Sequence, residues 1–193
     1  MLNHPLLFAT ESRYKIALLK RLNIAFDNEP AHLDETPMEH EDPGDLSRRL
    51  ARAKAEHVWA KYPHRCILAG DQAAGLGDGI LSKPGSIEEA MMQLTRMSGQ
   101  RISFHTSICL LHPSEQPREH TEVVTAQLRK ISADEIRRYV LIEQPLDCAG
   151  SFKVEALGIS LFSAIESRDP TALEGLPLIQ LAQWLREIGF QAP

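Results

Sequence analysis

The chain has 193 residues, 43% hydrophobic and 24% charged, a length and balance that suit one substantial core, built whole or as two lobes, and exclude disordered and fibrous classes. A formal net charge of −5 argues against a dedicated nucleic-acid binder and leaves room for a small anionic ligand. Cys66, Cys109 and Cys148 are odd in number and outside any CxxC spacing, so neither a disulfide framework nor a cysteine zinc site is indicated, and a reducing, cytoplasmic setting is expected.

The opening MLNHPLLFATES has too short an apolar run and no basic head for a signal peptide, and no apolar segment of membrane length occurs anywhere. PLLFAT reads as a first strand, followed by a turn at Glu11 and Ser12 and a helix with Ile16, Leu19 and Leu22 on one face. Such a turn points backbone N–H groups, together with the hydroxyls of Thr10 and Ser12, outward at a helix N-terminus. Phosphate oxygens bind readily there, and the same hydroxyls serve equally well as helix caps.

An extended AFDNEPAHLDE leads to the loop TPMEHEDPGD, whose Pro37, Pro43 and Gly44 are expected to break structure and whose acidic MEHED run is expected to be exposed and mobile. The second helix carries Leu46, Leu50, Ala53 and Ala60 on an apolar face and Arg48, Arg49, Arg52 and Lys54 on the others. ILAGDQAAGL is a strand leading into the GDG turn and LSKPGS, with Asp71 and Gln72 expected where its buried run ends; Ser86 and Glu89 form a capping box for the next helix. RISFHTSICLL alternates as a half-buried strand, with a hairpin partner in TEVVTAQLRKI. SADEIRRYVL opens on a second capping box at Ser132 and Glu135. AGSFKVEALGISLF reads as extended, and LPLIQLAQWLREIGF as a closing helix. Helices alternating with strands, with at least one hairpin, indicate an α/β fold: a mixed sheet covered by helices.

Four polar clusters fall at predicted strand ends or loops: TESRYK, HLDE with Asp34 and Glu35, GDQ with the later Lys83, and SFKVE with Lys153 and Glu155. Brought together, they would supply carboxylates for a divalent cation or a water and lysines for phosphate charge, a combination suited to hydrolysing a phosphoanhydride. Each has a plainer alternative. Asp34 and Glu35 before Thr36 and Pro37 suit a solvated turn, and Lys83 and Lys54 suit an exposed surface. Asp71 is hardest to dismiss, because an apolar run feeds straight into it and an unpartnered buried carboxylate is costly. No HExxH, GxSxG or Walker-type loop is present.

In order, FATESRYK, HLDE, LARAKA, ILAGDQ, LSKP and CAGSFKVEALGISLF followed by GLPL resemble the motifs of the Maf family of nucleotide pyrophosphatases across nearly the whole chain. Gln72 after Asp71, SFKVE and LFSAIESRDPTALEGLPLIQL resemble its YceF-type branch, associated with N7-methyl-GTP. The resemblance implies a single Maf-like domain over residues 1–193, a twisted mixed sheet flanked by helices, and two lobes around an ITPase-like cleft. It implies cleavage of a nucleoside triphosphate between the α and β phosphates with Mg²⁺ or Mn²⁺, as a house-cleaning activity against modified nucleotides. A nucleotide is then the partner, with neither nucleic acid nor membrane, and a homodimer is compatible with it.

By the same resemblance Asp71 is the proton acceptor and, with Glu35, a metal ligand. Thr10, Ser12, Lys15, Lys54 and Lys83 bind phosphate, and Tyr14, Gln72 and Glu155 occupy specificity positions. Thr10 stands where the family has serine and Lys15 where it has arginine, so the hydroxyl and the charge are kept but the bidentate fork is lost. Tyr14 replaces an expected tryptophan. Cleavage of dTTP or UTP, and nucleotide sensing without turnover in septum formation, are the alternatives.

Overall fold

The computed structural model describes residues 5–77 and 79–192; the opening MLNH and Asp78 of the GDG turn lie outside them. In chain order the elements are β1 (Leu6–Phe8), α1 (Arg13–Lys20), β2 (Phe26–Asn28), α2 (Pro43–Lys61), β3 (Cys66–Leu76), β4 (Gly79–Leu81), α3 (Ile87–Met97), β5 (Arg101–Leu111), β6 (Arg118–Leu128), α4 (Ala133–Glu143), β7 (Phe162–Glu166) and α5 (Leu178–Glu187). Short 3-10 helices at Leu157–Leu161 and Pro170–Glu174 flank β7.

The strands form one seven-stranded mixed sheet in the order β2-β1-β3-β5-β6-β7, with β4 folded back on the end of β3. β1 runs parallel to both β2 and β3, pairing Leu6 with Cys66 and Phe8 with Leu68. β3, β5 and β6 are long antiparallel neighbours. Both faces of the central strands are covered, which is why Ile67, Leu68 and Ala69 are all apolar and do not alternate. On one face Leu7, Ala9, Ile67, Ala69 and Cys109 pack under Ala51, Ala55 and Val58 of α2. On the other, Leu6, Phe8, Leu68 and Ile108 pack against Leu18 and Leu19 of α1 and Leu181 and Leu185 of α5. A further core joins α3 and α4 to the outer half of β5 and β6 through Leu94, Phe104, Val124 and Tyr139.

Several local expectations give way. β3 runs to Leu76, pairing Gly75 with Ser103, so Asp71 does not stand at a solvated strand mouth but lies buried within the strand, where Lys54 meets its carboxylate. Pro43 and Gly44 open α2 and do not break it. Asp42 caps the helix by accepting from the Asp45 N–H, and proline is tolerated in a first turn whose N–H groups are unpaired anyway. The buried stripe of α2 is Leu46, Leu50, Ala51, Ala55 and Val58, while Ala60 is exposed and Ala53 only half-buried, since any of several alanines satisfies the helical spacing. The acidic loop is tethered: Arg49 donates to both carboxylate oxygens of Glu41, at 2.6 and 2.8 Å, and to the Thr36 carbonyl. The segment Leu157–Leu161 coils into a 3-10 helix and is not extended. Both halves of the capping box form at Ser132 and Glu135; at α3 the Ser86 hydroxyl accepts from the Glu89 N–H.

Candidate active site

A cleft of about 490 Å³ opens where the first loop, the middle of β3, the segment around Glu35, Lys83, and the loops 147–155 and 173–175 meet. Its walls contain all ten residues singled out above: Thr10, Ser12, Tyr14, Lys15, Glu35, Lys54, Asp71, Gln72, Lys83 and Glu155. Lys153 does not join them. Its ammonium turns to the C-terminal end of α4, donating to the Glu143 carbonyl at 2.7 Å and lying 3.5 Å from the Glu143 carboxylate. Asp34 also stays out, accepting from the Thr36 N–H in an exposed turn, so the two acids of HLDE part ways.

The floor is made by strand period. Asp71 and Gln72 are consecutive, so their side chains leave β3 on opposite faces. Asp71 is on the face covered by α2, from which Lys54 reaches it: Lys54 Nζ lies 2.6 Å from Asp71 Oδ1 and 2.5 Å from Glu35 Oε1. Among the described residues no group donates to the second Asp71 oxygen. Burial by itself would discharge the Lys54 ammonium, yet its two carboxylates raise its pKa above the ordinary lysine value. Burial likewise opposes ionisation of Glu35, and Lys54, with Lys83 and Lys15 behind it, overrides that and holds the carboxyl below its usual range.

Gln72 faces the other way, and its amide nitrogen donates to Thr106 Oγ1 and to the carbonyls of Ala172 and Leu173. It therefore ties β3 to the 170–174 helix and offers a ligand its carbonyl oxygen. Gly70, beside Asp71, allows this close approach, since a Cβ there would stand 3.0 Å from Leu176. Asp169 completes the brace. Buried at 3% exposure, it accepts from the Thr171 N–H and hydroxyl and from the Ile179 N–H.

At the lip, the first turn forms the helix cap that the plainer reading expects. Ser12 caps α1 by accepting from the Lys15 N–H, and Thr10 accepts from the Ser12 N–H, while both line the cleft. Lys15 leaves the same turn and crosses Gly175, whose φ of +120° suits glycine. Among the described residues neither Lys15 nor Lys83 makes an ion pair. Burial lowers the Lys15 pKa, and the like charges of Lys54 and Lys83 add to this against the attraction of Asp71.

The outer end differs in chemistry. Tyr14 is half-buried, its hydroxyl 3.4 Å from Asp147 Oδ2, and Arg13 both donates to that hydroxyl at 2.8 Å and lies over the ring, 4.9 Å from its centroid. Glu155 is exposed on the same wall. Burial, then the Asp147 charge, pushes the Cys148 thiol up to about 12, so it is no nucleophile at neutral pH. Sequence reasoning missed Arg13, Asp147 and Gly175: an arginine beside a tyrosine and an acid in a QPLDCAG loop carry no pattern that brings them together. The cleft is thus cationic at one end and aromatic and acidic at the other. An anion bound at the first would have its attached group carried to the second.

Residues 5–188 match the family described as Maf-like protein. A "7-methyl-GTP pyrophosphatase" of Xanthomonas axonopodis pv. citri (strain 306) is 48% identical over 97% of this chain and 98% of its own. A protein of the same name from Pseudomonas putida is 44% identical over 98% and 99%. In fold, the chain is similar to a HAM1 protein from Coxiella burnetii (TM-score 0.53, 16% identity, 95% of this chain and 99% of that one) and to the Staphylococcus aureus Ham1 protein (TM-score 0.52, 16% identity, 95% and 98%).

Proposed function

The chain belongs to the Maf-like protein family, and from that premise we propose that it hydrolyses N7-methyl-GTP to N7-methyl-GMP and pyrophosphate, clearing a modified nucleotide. The observation that carries this reading is the pair of unpaired cations, Lys15 and Lys83, beside the Asp71–Lys54–Glu35 cluster in one cleft. Lys15, whose pKa burial lowers, and the exposed Lys83 make no ion pair among the described residues, and a triphosphate supplies the negative charge that both lack.

In this reading Lys15 and Lys83 grip phosphate oxygens, helped by the Thr10 and Ser12 hydroxyls and the unpaired N–H groups of the first turn of α1. Asp71, held in place by Lys54 through one oxygen, takes the proton of the attacking water on the other. Lys54 offsets charge that builds on the phosphates. Tyr14, Gln72 and Glu155 face the nucleoside end. A methylated guanine carries delocalised positive charge, which suits an aromatic face and a carboxylate.

The acids present fit a divalent cation. Glu35 and Asp71 converge on a single ammonium, and Mg²⁺ is commonly held by one or two carboxylates together with substrate phosphates. Among the described residues no three His, Cys, Asp or Glu gather as an all-protein cage. The cation, when bound, would neutralise phosphate charge. Among the described residues no helix is long and apolar enough to cross a membrane.

The test is a panel of normal and methylated nucleoside triphosphates with Mg²⁺ or Mn²⁺, reading pyrophosphate and orthophosphate separately. Pyrophosphate released preferentially from N7-methyl-GTP is the expected result. Orthophosphate alone, or a preference for UTP or dTTP, overturns it.

A further inference from the structure

The outer end of the cleft already holds a planar, delocalised cation with N–H donors: the guanidinium of Arg13. It covers the Tyr14 ring at 4.9 Å from the centroid, donates to the Tyr14 hydroxyl at 2.8 Å, and lies 3.6 Å from the Asp147 carboxylate. Tyr14, in the first turn of α1, and Asp147, in the loop after α4, are far apart in sequence, and the hydroxyl-to-carboxylate contact at 3.4 Å closes them into one cradle. An aromatic face edged by a carboxylate selects charge that is spread over a flat group and carries hydrogens at its rim. N7-methylguanine has the same three properties.

Resting on the function proposed above, we infer that Tyr14 and Asp147 form the subsite that reads the charged base, and that Arg13 occupies it in the free protein as an internal competitor. Arg13 can leave at little cost. Its side chain is 74% exposed and that of Asp147 54%, so their pairing is a surface ion pair weakened by water and salt. The arriving base exchanges one cation–aromatic contact for another and takes over Asp147, while the freed guanidinium turns to solvent. A neutral guanine offers less to exchange, so the displacement itself favours the methylated ring. Asp147 is then a specificity-determining residue, and Arg13 sets the affinity by the fraction of time that the cradle stands open.

The experiment measures binding, without turnover, by titration calorimetry with N7-methylguanosine and with guanosine, which lack phosphates and so report on the cradle alone. Arg13→Ala should tighten N7-methylguanosine by about three- to tenfold, as expected for removing a competitor that fills most of the population. Asp147→Asn should weaken it and narrow its advantage over guanosine. Arg13→Lys, which keeps the charge without the planar fork, should fall between wild type and Arg13→Ala. Unchanged or weaker binding in Arg13→Ala overturns the competitor, and an unchanged methyl preference in Asp147→Asn overturns the subsite. Failure of the wild type to release pyrophosphate would sink the hydrolytic reading on its own, with these binding results still deciding the cradle.

Discussion

Gln72 donates from its side-chain amide to the Ala172 carbonyl at 2.9 Å, fastening the strand that carries Asp71 to a helix one hundred residues later. The consequence reaches Lys15, because the same 3-10 helix ends at Gly175, over which Lys15 lies. Gln72→Leu removes the donor and leaves the Leu173 carbonyl without this partner. Stability should fall by about 1–3 kcal/mol in urea unfolding. KM for the triphosphate should rise as the bed under Lys15 loosens. A variant as stable as wild type would mean that the tie does not hold the loop.

Asp71→Asn should keep the fold and lose turnover by about two to four orders of magnitude, since an amide takes no proton from water. Circular dichroism checks the fold and pyrophosphate release the rate. Activity within tenfold of wild type, by about the lower bound of general-base effects, would remove Asp71 from that role.

Lys15 predicts an alkaline limb. Its ammonium is held below the ordinary lysine pKa by burial and by Lys54 and Lys83. Below that lowered pKa it is charged and grips phosphate; above it the charge and the grip are lost. KM should therefore climb at a lower pH than an ordinary lysine would require. Lys15→Arg, always charged, should push the climb upward or abolish it. The same limb in both proteins would assign it to another group.

Glu35 predicts an acid limb in stability. Its folded pKa lies below the ordinary glutamate value, so its contribution is fully present above the unfolded pKa and disappears as pH falls through the folded one. Glu35→Gln should melt below wild type at neutral pH, and the difference should close on acidification below the ordinary glutamate range. A gap that persists in acid would mean that the substitution acts through packing and not through charge.

How much of this was legible differs from residue to residue. Asp71 stood out because three apolar residues precede it, and strand period alone sends Gln72 to the opposite face. That Asp71 lies buried within the strand and not at its mouth goes with Lys54, seventeen positions away on a helix, and no local pattern reports that pairing. Lys54 and Lys153 look alike in sequence, but one meets two carboxylates and the other a helix end. Likewise Glu41, read as part of a solvated acidic loop, is the anchor for Arg49 because that loop returns along α2. Resemblance to a family brought ten side chains to one cleft; what stayed hidden were contacts, such as Arg13 with Asp147, whose partners are chosen only by the folded chain.

The loop that carries Thr10 and Ser12, with the first turn of α1 that carries Lys15, hangs on β1, a strand of only three residues whose neighbours Phe26–Asn28 and Cys66–Leu68 come from much later in the chain. The β3–β5–β6 ladder, by contrast, is made of long strands joined in antiparallel register. Release of β1 breaks few ladder bonds but uncovers Leu6 and Phe8, both fully buried, so this corner is expected to open as a cooperative unit whose cost lies in its core contacts more than in its ladder, and to open before the longer β3–β5–β6 ladder. Amide exchange should then reach Leu7 and Phe8 before Leu68 and Ile108, and a nucleotide that clamps the loop should slow the first pair more than the second. Ligand binding and the integrity of the amino-terminal strand become one equilibrium, so a change at Leu6 or Phe8, far from any phosphate, would be felt as lost affinity before it is felt as unfolding.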